Sequence, residues 1–406
     1  MATIRKEIDL LNKSYNASTN SFTPGNLSNG GGRMNKADYD PITEVYFETG
    51  FEYIDIGGSA EVELYDHTNS TSIVTVSSAT GGWKRVRSAD ILGDLAAGDV
   101  DYRVRYRITN ADFGSNVSVH AARIIIIQTG TIKKTVTDIL VGDVYSTDTR
   151  GRYTEVQTPQ RHLFTNADYD GTVSYEYHAV LAGNLGFPSG PASYAELYDI
   201  DGTTQLAEVS VSAVTPEMVV DTTVTTPTTG NILTSRIKNA TGLGAQARMY
   251  MAHLVIKQTS ATNIEKTVSA HHIAFAGFVE NDSSYDLANR LKGSYDPAEY
   301  DDVTLTADHE ATIKVSAGTG YMNISNKNGA AAALASSEIN TTATSYEHNL
   351  ATAITVPTAS VDLFQDAYNT GGSITTASQR MLVMLTSIQV ASTGGIPLRM
   401  MMGVGK

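Results

Sequence analysis

The sequence predicts an all-β chain made of three tandem, divergent β-sandwich units of the jelly-roll kind. Three observations carry that expectation: phrases that recur in order, segments that alternate with the period of a strand, and turn signals between them. Ala37-Asp38-Tyr39-Asp40 returns as Ala167-Asp168-Tyr169-Asp170, and Glu63-Leu64-Tyr65-Asp66 as Glu196-Leu197-Tyr198-Asp199. The run ending in Gln128 returns in the run ending in Gln258, 130 residues on, each followed by Lys-Thr-Val. A fainter third copy places Tyr295-Asp296 against Tyr39-Asp40, and Gln389 another 131 residues beyond Gln258. A unit of this size buries roughly two thirds of its unfolded surface, enough for a core of its own.

In chain order, Ile4, Ile8 and Leu11 fall on one helical face, which predicts a helix over Ile4–Lys13. Residues 16–37, rich in Asn, Ser, Thr and Gly, cannot order by themselves, so residues 1–37 read as a flexible N-terminal arm. The arm has two destinations: its own first unit, or a neighbouring subunit as a helix or an added strand. In the second case, removing residues 1–15 leaves a folded chain that assembles less well.

Unit 1 spans residues 38–145. In Val100–Ile108, Val100, Tyr102, Val104, Tyr106 and Ile108 share one face and Arg103, Arg105 and Arg107 the other. Ala60, Val62 and Leu64 alternate with Glu61 and Glu63, so an acidic face can pair with the arginine face across a sheet. The continuous run Ile124–Ile127 predicts a strand covered on both sides. Unit 2 spans residues 146–280 and unit 3, with a C-terminal tail, residues 281–406. Gly57-Gly58, Gly81-Gly82, Asp201-Gly202, Asn328-Gly329 and Gly371-Gly372 mark turns. A second helix is expected around Ser283–Leu291, and Ala330–Ala333 reads as a short helix or a tightly packed strand.

Composition excludes several functions. A formal charge of -14 with no basic stripe argues against a sequence-independent grip on nucleic acid. With no cysteine there is no disulfide or thiolate site, and no apolar run reaches the roughly 18–20 residues that span a bilayer. The N-terminus carries charges where a secretory signal needs an apolar core. The nine histidines form no His-Glu-x-x-His pattern, and adjacent His271 and His272 point to opposite faces of a strand. Asp199-Ile200-Asp201-Gly202 opens like a calcium loop, but lacks the glutamate at its twelfth position and reads as a hairpin. The paired carboxylates Asp38/Asp40, Asp168/Asp170 and Asp301/Asp302 recur with the repeat, which suits a capping role better than a single active site. No catalytic, metal or cofactor residue is assigned.

The candidate assembly contacts are Ile4, Ile8 and Leu11 in the arm and Met400, Met401 and Met402 in the tail, which pack on a partner or on the third unit. Trp83, the single tryptophan, is the candidate inter-unit or glycan contact. With its tandem β units and low charge, the chain resembles, in architecture, the tandem β-sandwich coat, fibre and filament proteins of viruses and microbial surfaces. The resemblance implies assembly of identical copies into a virion or extracellular structure, resistance to proteolysis and no cofactor. The alternative is an array of carbohydrate- or receptor-binding modules with surface glycans as partners.

Overall fold

The repeats resolve into strands throughout the computed structural model, which describes residues 1–11, 15–17, 30–54, 58–109, 116–147, 151–153, 160–183, 192–240, 246–274, 278–280, 286–287, 293–326 and 332–389. The first unit contains β1 (Thr3–Leu11), β2 (Tyr15–Ala17), β3 (Gly32–Asn35), β4 (Glu44–Ile54), β5 (Ser59–Asp66), β6 (Thr71–Ser78), β7 (Gly82–Arg87), β8 (Asp99–Thr109) and β9 (Asn116–Thr129). The second contains β10 (Lys134–Gly142), β11 (Tyr145–Thr147), β12 (Arg161–Leu163), β13 (Thr172–Ala182), β14 (Ser193–Asp199), β15 (Thr204–Val211), β16 (Glu217–Asp221), β17 (Ile232–Asn239) and β18 (Ala247–Thr259). The third opens with β19 (Thr267–Ala274), β20 (Phe278–Glu280), β21 (Asp286–Leu287), β22 (Gly293–Tyr295), β23 (Thr304–Val315) and β24 (Gly320–Asn326). It closes with β25 (Ala332–Ala333), β26 (Ile339–Thr341), β27 (Glu347–Ile354), β28 (Val361–Asn369) and β29 (Ile374–Thr386).

Each unit folds the same way. One sheet of the first unit runs β1-β9-β4-β7 and the facing one β3-β8-β5-β6; the second unit has β10-β18-β13-β16 and β12-β17-β14-β15. In the third unit, β19-β29-β23-β27 faces a sheet in which β28 and β24 are central. Counting principal strands within a unit, the two sheets run 1-8-3-6 and 2-7-4-5, the strand order of a jelly roll. The alternation read from the sequence sets the faces: Val100, Tyr102, Val104, Tyr106 and Ile108 are buried against Val62 and Leu64. On the outer face Arg105 pairs with Glu63, and Arg107 with Glu61 at 2.6 Å. The turn at Asp199–Gly202 joins β14 to β15, with Gly202 N donating to Asp199 Oδ1 at 2.7 Å.

The N-terminal segment corrects an expectation. Thr3–Leu11 is a strand, β1, paired antiparallel with β9 from Thr3–Thr129 to Leu11–Ala122, and not a helix. Helical spacing of Ile4, Ile8 and Leu11 misled because the residues between them are also buried: Arg5, Lys6, Glu7 and Asp9 are 0–6% exposed, so no polar face marks the strand's period. Residues 12–14 and 18–29 of the expected arm lie outside the described residues. Lys134–Gly142 and Thr267–Ala274 pair with β18 and β29, so each Lys-Thr-Val strand lies in a sheet with the strands that follow it.

The third copy also realigns. A register shift sits at the same place in all three first sheets, after Asp9, Leu140 and His272, which equates Arg123, His253 and Arg380 opposite them. Counting from there, Gln128 and Gln258 correspond to Leu385, and Gln389 lies beyond the strand. Likewise the one-turn 3₁₀ helices at Lys36–Asp38, Asn166–Asp168 and Pro297–Glu299 equate Tyr39, Tyr169 and Tyr300, rather than Tyr295. Of the second expected helix, Asp286–Leu287 is strand and its other residues lie outside the described ones; Ala332–Ala333 is strand.

Candidate functional site

The three edge strands β1, β10 and β19 meet one another at the centre of the molecule, so the jelly rolls stand around a pseudo-threefold axis. Equivalent positions fill the hub. Thr137 Oγ1 donates to Val268 O at 2.7 Å, and Ser269 Oγ donates to Arg5 O. The first unit has Lys6 at that position, and its Nζ donates to Thr137 Oγ1 at 3.1 Å, Thr267 Oγ1 at 2.6 Å and Val268 O at 2.5 Å. Burial pulls the Lys6 ammonium well below the usual lysine range.

The ring closes on itself. Asp40 and Lys134 form a β-bridge from unit 1 to unit 2, Glu265 N, just ahead of β19, donates to Asp170 Oδ2 at 2.8 Å, and Asp301 bridges back to Thr3. The Ala-Asp-Tyr-Asp phrase therefore ties each unit to the first strand of the next, and its third copy, Ala298-Glu299-Tyr300-Asp301, returns the tie to the first unit. The bridges at Asp40 and Asp301 are made by backbone atoms. Within the N-terminal segment Thr3–Leu11 is an edge strand, and its Lys6 enters the hub.

Between neighbouring jelly rolls lie three seams built from equivalent positions. Where the third unit meets the first, Arg5 and Arg87 both hold Glu299, Arg5 at 2.5 Å, while Arg85 and Arg87 hold Glu48 at 2.9 and 3.1 Å. Glu7, between Arg5, Arg123 and His271, feels burial pushing its carboxyl up, but these three neighbours outweigh it and hold it well below the usual range. Where the first meets the second, Lys257 bridges Asp38 at 2.8 Å and Glu176 at 2.7 Å, and His253 pairs with Asp138 at 2.6 Å.

Where the second meets the third, buried Glu310 accepts from Leu163 N at 2.7 Å and pairs with Arg380 at 2.8 Å, His348 at 2.8 Å and His162 at 3.2 Å. Burial pushes its carboxyl up, and Arg380 and His162 more than reverse the shift. Arg380 also donates to Leu140 O and Arg161 O at 3.0 and 2.7 Å, stitching two strands of unit 2 to unit 3. The adjacent His271 and His272 both meet carboxylates of β1, His271 at Glu7 at 2.7 Å and His272 at Asp9 at 3.5 Å. Burial raises Asp9 to about 7.

Of the candidate contacts, Ile4 packs in the third unit's core, and Ile8 and Leu11 in the first's, all at most 1% exposed. Met400, Met401 and Met402 lie outside the described residues. Trp83 is half-buried on edge strand β7, its ring 4.4 Å from that of His120. The seam residues Glu48, Glu310, Arg380 and Lys257 were not foreseen; a signal existed in charges placed amid otherwise apolar strand runs, where burial without pairing is prohibitive.

No known protein family matches the chain, and no curated protein is similar to it in sequence. Among solved structures it is similar to the insecticidal delta-endotoxin Cry8Ea1 of Bacillus thuringiensis at 10% identity and TM-score 0.23, over 63% of this chain and 53% of that one. The chain thus spans about half the endotoxin's length. It is similar to a protein of the T13 infectious bursal disease virus particle at 11% identity and TM-score 0.21, over 87% and 76% of the two chains. A triple-jelly-roll protein of an archaeal virus, described with its turret assembly, matches at 10% identity and TM-score 0.18, over 95% and 92%. At such identities and scores the likeness is one of all-β architecture alone.

Proposed function

We propose that the chain is a non-enzymatic structural protein whose copies assemble, through the outer faces of its jelly rolls, into a virion coat, tail or fibre component or a surface filament. The observation that supports this is the closed ring: one chain builds a trimer-like block, with its first strand and its recurrent aspartates used to lock the block together. Such a block offers outward sheet faces of related shape and keeps the edge strands β1, β10 and β19 inside, where they cannot pair at random. The tail carrying Met400, Met401 and Met402 is a further candidate contact between copies.

Negative-stain electron microscopy with sedimentation over a concentration series tests this reading. Rings, shells or filaments support it; a monomer at every concentration removes it. Trp83 favours a second reading, since a half-buried indole on an edge strand can stack on a sugar ring. A glycan array with Trp83→Ala as control decides that one.

A further inference from the structure

Because the seams share positions, each is a control for the others. The acid of the 3₁₀ turn is Asp38, Asp168 and Glu299 in the three units, and the residue facing it from the next unit is Glu176, Asp308 and Tyr46. In the first seam Lys257 lies between the two acids. In the third seam Arg5 and Arg87 hold Glu299, and Arg87 lies over the Tyr46 ring at 5.4 Å. At the second seam all three cation positions are apolar: Met384 stands for Lys257, Val268 for Arg5 and Leu350 for Arg87. These three side chains, with Leu163, Tyr169 and Leu382, line a pocket that also contains Asp168, Asp308 and His162.

Among the described residues neither Asp168 nor Asp308 forms an ion pair. Asp308 Oδ1 accepts from Ala353 N at 2.9 Å, and exposed Lys266 is the one cation that bears on Asp168. Burial, then the facing carboxylate, pushes Asp168 up; burial pushes Asp308 up, with Glu310 adding to it against the Ala353 amide. His162 is 3% exposed, and while its Nδ1 meets Glu310, its Nε2 has no hydrogen-bond partner. Burial outweighs Glu310 and lowers this imidazole, so the neutral ring that gives its Nδ1–H to the carboxylate keeps an acceptor at Nε2.

We propose that the pocket between the second and third jelly rolls binds an alkylammonium group, its N–H donors directed to Asp168, Asp308 and His162 Nε2 and its carbon chain to Val268, Leu350 and Met384. The chemistry of the walls selects this class. An ammonium has three donors for three acceptors, and an alkyl stem suits the apolar lining. A metal ion needs its ligands converged at about 2 Å, and no three His, Asp or Glu among the described residues are placed to hold one, whereas an ammonium reaches acceptors spread at hydrogen-bond distances of about 2.9 Å. The ammonium comes either from a free amine or from a lysine on a second copy of the chain.

The test uses the full chain with ¹³C-methyl methionine and n-butylammonium chloride as the probe, against sodium chloride at equal ionic strength. The expected result is a saturable shift of the Met384 methyl whose affinity falls on the order of tenfold or more in Asp168→Asn, the loss of one charge-assisted hydrogen bond. Asp94→Asn, the same charge change at an exposed acid of the first unit, leaves the affinity unchanged. Met384→Lys abolishes binding by supplying the ammonium, as Lys257 does. Affinity falls on acidification, as the two aspartates protonate. A Met384 shift that instead grows with protein concentration, without amine, and is lost in Asp168→Asn assigns the ammonium to a second copy. No saturable shift and no concentration dependence, or equal affinity in Asp168→Asn, overturns the proposal.

Discussion

Gln128 and Gln258 hold the same three bonds in successive jelly rolls. Each Nε2 donates to the carbonyl of the lysine that opens the next unit, at 2.8 Å in both, and to a carbonyl near the Ala-Asp-Tyr-Asp turn, at 3.0 Å in both. Each Oε1 accepts from the threonine after that lysine, at 2.6 Å in both. The recurring Gln and Lys-Thr-Val are thus the two halves of one splice, which is why they travel together in the sequence.

Gln258→Leu fits the volume but leaves two carbonyls without their Gln donor and the Thr267 O–H without its acceptor, while Thr267 Oγ1 still accepts from Lys6. A loss of about 2–4 kcal/mol is expected, from roughly 1–3 kcal/mol per buried group left unpaired with partial relaxation. Urea unfolding measures it, and an unchanged midpoint denies the splice any structural weight.

Asp9 makes stability depend on pH. Its folded-state pKa, about 7, lies above the ordinary aspartate value of 3.8, so the folded chain binds more protons in that interval and loses stability as pH rises through it. Arg123, Glu7, Asp138, His253 and His272 face it, so the acid is buried among both signs. Asp9→Asn is expected to be more stable than the parent near pH 8 and to lose that advantage near pH 4. Thermal melts of both proteins across this range give the comparison; parallel curves rule out the assignment.

Arg380 and Glu310 form a buried couple whose members are not separately replaceable. Arg380→Met leaves Glu310 facing two imidazoles without its guanidinium and costs about 3–5 kcal/mol. Adding Glu310→Gln recovers part of the loss, giving a coupling energy of at least about 1 kcal/mol in a double-mutant cycle. Additive effects show that the pair is not coupled.

The single tryptophan reports on one jelly roll of three. Since the cores run across the seams, with Val136 and Val255 in the first unit's cluster and Val268 and Leu382 in the second's, the three are expected to unfold together. Trp83 fluorescence and far-UV circular dichroism should then give one coincident transition. Separate midpoints show that the seams are weaker than the units they join.

Much of the fold was legible. Alternation in Val100–Ile108 and Ala60–Leu64 gave both faces of a sheet and an acidic face able to meet an arginine face, and the structure makes the contacts Glu63–Arg105 and Glu61–Arg107, because there the charges keep the period of two. The hub and seams were not. In Thr3–Leu11 charged and apolar residues are buried alike, so pattern no longer tells inside from outside, and the partners lie in other units. The cations also come from different strands, Arg5 on β1 and Arg87 on β7 at the third seam and Lys257 on β18 at the first, so that no recurring phrase records a shared geometry.

The bridge from Thr3 to Asp301 joins the first strand to the third jelly roll. β1 finds its sheet partner β9 within its own unit, but the groups that receive Lys6 lie further along the chain, Thr137 in β10 and the Thr267 hydroxyl and Val268 carbonyl in β19. Lys6 therefore remains hydrated on the nascent chain and sheds its water when the third jelly roll docks. Docking, a late event between distant segments, sets the pace at which the whole chain matures.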